Sequence, residues 1–155
     1  MNLHTSTRIP IDDEYALLIG KAVYAFAYYE WTIIWIIEQL EQGFVAKYSR
    51  GNSLTSGEVQ KYFKRIVEKY KNDKSIKKEE LANILRSFEL LITKRNALIH
   101  AHPCTDYDGK QILNYQTSTR KDLPDMKWPK IELEKFIKII DVAETEASIV
   151  LDKIR

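Results

Sequence analysis

Between Glu14 and Glu38 the chain carries charge only at Lys21 and Glu30, and almost every other position in that run is apolar. Asp12, Asp13 and Glu14, just after Pro10, put carboxylates where a helix N-terminus is positive, so the pattern predicts a long first helix ending near Gln42, ahead of Gly43. A helix apolar on nearly every face must be covered on nearly every face. Tyr24, Phe26, Tyr28, Tyr29, Trp31 and Trp35 offer more aromatic surface than a small bundle hides, which predicts a homodimer formed through part of this helix. The alternative is the central helix of a monomer. A membrane span is disfavoured, because the most apolar stretch, Ala22 to Ile37, has 16 residues and includes Glu30. Crossing takes about 20 residues, and an acidic group at the centre costs a few kcal/mol.

Phe44 to Leu54 has no clear period and is expected to be a loop. Thr55 followed by Glu58 has the spacing of a capping box, opening a second helix whose apolar side is Val59, Tyr62, Phe63, Ile66, Val67 and Tyr70. Its other side, with Lys61, Lys64, Arg65, Lys69 and Lys71, reads as solvated surface before it reads as a phosphate track. Asn72 to Lys78 is a turn with Ser75 as its cap, and a third helix runs from about Lys77 to Ala101, stopped by Pro103. Asp108-Gly109 between short apolar runs predicts a hairpin with Gln111 to Tyr115 as one strand. Thr117 to Pro129 is expected to be irregular. Ile131 to Ile154 forms the last helix on a stripe of Leu133, Phe136, Ile137, Ile140, Ala143, Ala147, Val150, Leu151 and Ile154. The expectation is an all-α domain spanning residues 1–155, a bundle of four long helices with a small β-hairpin between the third and fourth.

Composition adds exclusions. At 155 residues and 45% hydrophobic, the chain can bury one ordinary core. Its 24 basic and 22 acidic residues leave a net charge of +2, which excludes a polybasic nucleic-acid sleeve. Cys104 is the single cysteine, so no intrachain disulfide is available, and Met1 to Arg8 lacks the apolar centre of a secretory signal. A cytoplasmic location is the expectation.

Chemistry is concentrated in Lys94-Arg95-Asn96-Ala97-Leu98-Ile99-His100-Ala101-His102-Pro103. On a helix, Leu81, Ile84, Phe88, Leu91, Ile92, Leu98 and Ile99 form one stripe with Arg95 near its middle, an address that demands an anionic partner or a polar cavity. Glu30, equally isolated on the first helix, is the expected partner. Asn96 and His100 share an edge of the helix. Imidazole exchanges protons near neutral pH and guanidinium stabilises a phosphate gaining charge, a combination suited to metal-free RNA cleavage. Arg95 and His100 are about 140° apart on an unbroken helix, so two copies of the helix are expected to pool their groups.

Arg95-Asn96-(three residues)-His100, late in the third helix of a helical domain, resembles the R-x4-6-H motif of the HEPN superfamily (higher eukaryotes and prokaryotes nucleotide-binding). The resemblance implies a HEPN-like bundle and a dimeric, metal-independent endoribonuclease, of the kind found among toxins and defence proteins, with Arg95 and His100 as the catalytic pair and Asn96 beside them. It implies RNA as substrate, no cofactor, and an antitoxin or nucleotidyltransferase as partner. Where toxins silenced by nucleotidylation carry a tyrosine two residues after the histidine, this chain has His102, which places that control in doubt. Glu30 and His102 are expected to support the site, and Lys94, Lys110, Arg120 and Lys121 to meet the substrate.

Two other readings stand beside this one. His100, His102, Cys104 and Asp106 alternate, and on one extended strand they would face one way as metal ligands; a helix extending through His100 breaks that pattern, and no metal is expected. A non-catalytic dimeric module could bind RNA, a nucleotide or a protein through the same cleft.

Overall fold

The long apolar run forms α1 (Asp13–Leu40), started by the Asp12 side chain, which accepts from the Glu14 amide at 3.1 Å. The computed structural model describes residues 11–49, 54–73, 78–116 and 125–155. Within them follow α2 (Phe44–Ser49), α3 (Ser56–Lys69), α4 (Lys78–Ile99), β1 (His102–Thr105), β2 (Gln111–Tyr115), β3 (Met126–Trp128) and α5 (Lys130–Ile154). The fold is mainly helical, with one small antiparallel sheet. Ser75, Arg120 and Lys121 lie outside the described residues.

α1 packs chiefly on α5, with α3 and α4 closing over its other side. Phe26 and Tyr29 of α1 meet Phe88 of α4 at centroid separations of 6.4 and 5.7 Å, stacked and edge-on respectively. Offset and edge-on ring contacts of this kind add to the burial term itself. Gln60 of α3 donates to Glu89 of α4 at 3.0 Å, and Lys153 of α5 pairs with Glu80 of α4 at 2.6 Å, at the rims of those contacts. The α5 stripe is inside as expected, with Leu133, Phe136, Ile140, Ala143, Ala147, Val150 and Leu151 buried. None of the helices described is long and apolar enough to cross a membrane.

Three local expectations need correction. Phe44 to Ser49, expected as loop, is a short helix. Gly43 reverses the chain at φ 94°, and the Glu38 carboxylate accepts from the amides of Gly43 (3.0 Å) and Val45 (2.7 Å), bonds that hold its pKa below the usual carboxylate value. Six residues carry too little periodicity to announce a helix, and the cap is lent by the preceding one. Met126 to Trp128, expected as irregular, is a third strand paired with β2, Leu113 opposite Trp128. Ile99, assigned to the buried stripe of α4, is 48% exposed because the helix ends there, while Ala97 is buried.

The hairpin is as expected. β1 and β2 pair antiparallel with His102 opposite Asn114 and Cys104 opposite Ile112. Asp106 holds the turn, its Oδ1 accepting from the amides of Asp108 and Lys110, each at 2.9 Å, and Gly109 takes φ 76°, where a side chain is disfavoured. Tyr15 ties the sheet to α1. Its hydroxyl donates to the Trp128 carbonyl at 2.7 Å and accepts from the Leu113 amide at 2.8 Å, so one side chain satisfies two strands.

Candidate functional site

The first turn of α3 is where three helices meet in a polar cleft. Thr55 caps it: Thr55 Oγ1 accepts from the Glu58 amide at 3.3 Å, and the Glu58 carboxylate accepts from the Thr55 amide at 2.7 Å. This reciprocal cap aims the start of α3, Ser56 and Gly57, at the last turns of α4. The resulting cleft, about 460 Å³, is lined by Glu30 of α1, by Leu54, Thr55, Ser56 and Gly57, and by Arg95, Asn96 and His100.

Arg95 is half-buried. Its guanidinium lies over the Phe26 ring, 5.0 Å from the centroid, and Nη2 donates to Ser56 Oγ. A guanidinium tolerates this setting because its flat faces are weakly hydrated and stack on aromatics while its edge forms hydrogen bonds. Glu30 lines the same cleft but makes no direct ion pair with Arg95, which donates to the buried hydroxyl of Ser56. Burial raises the Glu30 pKa, and the Ser56 hydroxyl and the Arg95 charge offset that only in part. Its Oε1 is buried with no hydrogen-bond partner among the described residues. The expected direct Glu30–Arg95 ion pair is not formed, and the guanidinium turns to Ser56 instead.

Asn96 and His100 are exposed, and the His100 amide donates to the Asn96 carbonyl at 3.0 Å, so the helical turn persists through His100. That turn keeps both side chains on one edge, as their spacing predicted. Arg95 and His100 nonetheless both line this cleft within a single chain. The angle along α4 is unchanged, but the arginine side chain is long enough to run over Phe26 to Ser56, and the cleft wraps the end of the helix.

The remaining candidates lie elsewhere. Lys94, one residue before Arg95, lines a separate cavity of about 260 Å³ with Met126, Lys127, Trp128, Glu132 and Lys135. Lys110 acts on Asp12 at the start of α1, about 27 Å along that helix from Glu30 at 1.5 Å per residue. His102 opens β1, is exposed and does not line the cleft. No group of three or more His, Cys, Asp or Glu side chains among the described residues converges as a metal site. His102 and Cys104 share β1, while His100 stays in the turn before it and Asp106 turns away after it.

Known families, curated proteins and solved structures offer no match to this chain. The site therefore rests on its own geometry. Sequence reading missed Ser56 and the place of Phe26 beneath the Arg95 guanidinium. The capping box marked where α3 begins, but only the packing of α3 on α4 shows that its first turn faces Arg95.

Proposed function

We propose that the protein is a metal-independent endoribonuclease with a HEPN-like helical fold, using Arg95, Asn96 and His100. What supports the reading is one observation: a half-buried arginine, an exposed imidazole and an exposed amide line one cleft of a size suited to a phosphate and its flanking sugars. His100 takes the proton of a ribose 2′-hydroxyl, whose oxygen attacks the adjacent phosphorus. The P–O5′ bond breaks, leaving a 2′,3′-cyclic phosphate; the 5′-oxygen takes a proton from water in the open cleft, and His100 returns its own proton to solvent. Arg95 faces the phosphoryl oxygens as charge grows on them, with guanidinium donors beyond the one given to Ser56. Asn96 orients the imidazole or a phosphoryl oxygen.

Together with the motif resemblance, this reading extends to a toxin or defence role with an antitoxin or nucleotidyltransferase partner. Homodimer formation is a separate part of the proposal, resting on Leu17, Val23 and Tyr24, which α1 leaves exposed. The deciding experiment is RNA cleavage in the presence of chelator by the wild type, Arg95→Ala and His100→Ala. Cleavage lost in both variants supports the site. Undiminished cleavage in both removes it, and RNA binding without any cleavage converts the reading to a binding module.

A further inference from the structure

We infer that Trp31 and Tyr48 form a stacking platform for an unpaired base of a single-stranded RNA whose phosphate occupies the Arg95 cleft. This rests on the reading of that cleft as an RNA site and names the form of RNA it takes.

Trp31 follows Glu30 on α1 and is 39% exposed, a large apolar surface for a tryptophan fixed on a helix. It is held from two sides: Trp35 meets it edge-on at 6.0 Å and Tyr48 of α2 is tilted against it at 6.2 Å. A ring already confined by neighbours loses little freedom when a base stacks on it. Tyr48 links this cluster to the cleft. Its ring partner Trp31 is the chain neighbour of Glu30, which lines the cleft, and the charges of Glu30 and Arg95 both act on the Tyr48 phenol, whose pKa burial raises. Lys47, the chain neighbour of Tyr48, sits with Arg65 over the Tyr62 ring, at 4.6 and 4.2 Å from its centroid. Exposed aromatics suit single strands, whose bases are free to stack, whereas a duplex keeps its bases inside.

The test uses a fluorescent single-stranded RNA octamer, the same octamer with abasic sites, and its duplex, with binding read by anisotropy in a His100→Ala background. Trp31→Ala is expected to weaken octamer binding roughly tenfold, Trp31→Phe by no more than about threefold, and neither to matter for the abasic octamer. Unchanged octamer affinity in Trp31→Ala and Tyr48→Ala would overturn the platform, as would an equal loss on the abasic strand, which would place the ring's role in folding. A change of mass in sedimentation without a change in affinity would also overturn it, in favour of a protein–protein surface. Wild-type cleavage that ignores both substitutions defeats the platform alone, whereas a wild type that neither binds nor cuts RNA defeats the ribonuclease reading with it.

Discussion

Arg95 reaches across from α4 to donate to Ser56 in the first turn of α3, and the two are 39 positions apart in the chain. This contact fixes where the guanidinium ends, because Ser56 is itself held by a capped helix start and is buried. The candidate cleft depends on a helix cap as much as on the motif that carries the arginine.

Ser56→Ala therefore removes the acceptor while leaving Arg95 and His100 in place. Loss of one hydrogen bond to a half-buried charged donor should cost about 1 kcal/mol of stability, since water reaches the freed guanidinium edge. RNA cleavage should fall by about tenfold through kcat, because the arginine loses its orientation more than its charge. Urea unfolding and steady-state cleavage check the two effects. Full activity with reduced stability would make Ser56 a packing residue only.

Glu30 supplies a pH signature. Its folded pKa is raised by burial above the ordinary value of 4.5, so between those two values the folded protein keeps a proton that the unfolded chain releases. Stability from this group is present at low pH and lost as pH rises through that window, then level above it. Glu30→Gln removes the dependence. The melting temperature of the variant minus that of the wild type should become more positive from about pH 4 to about pH 8. Repeating the comparison in His100→Ala separates it from the imidazole in the same cleft. A difference that does not move with pH would show that Glu30 titrates alike in both states.

For the chemistry, His100→Ala should lower cleavage by about a hundredfold or more, the usual contribution of a general base. Arg95→Ala should lose a comparable factor, and Arg95→Lys should recover little of it because an ammonium cannot match the flat, forked contact over Phe26. Chelator should leave the wild-type rate unchanged. A rate that collapses with chelator and returns with a divalent ion would replace the mechanism.

Tyr15→Phe tests the joint between α1 and the sheet. The Leu113 amide and the Trp128 carbonyl both lose their bond to the hydroxyl, which should destabilise the protein by about 1–3 kcal/mol in denaturant titration. Cleavage measured well below the melting temperature should be unaffected, since Tyr15 lies about 22 Å along α1 from Glu30 at 1.5 Å per residue.

The four long helices, the Thr55–Glu58 cap and the Asp108-Gly109 turn were legible in the chain because each depends on residues close in sequence: helical period, reciprocal capping and a glycine at positive φ. The grouping of Asn96 with His100 was legible for the same reason, being one helical turn. What the chain alone left open was set by contacts between distant segments. β3 exists because β2 supplies its hydrogen bonds, and α2 because Glu38 caps it. Only the tertiary structure brought Ser56 to Arg95, set Glu30, Arg95 and His100 around one cleft, and turned Lys94 into a different cavity. Local patterns state which way a side chain points from its own element, whereas a site is made by which other element stands opposite.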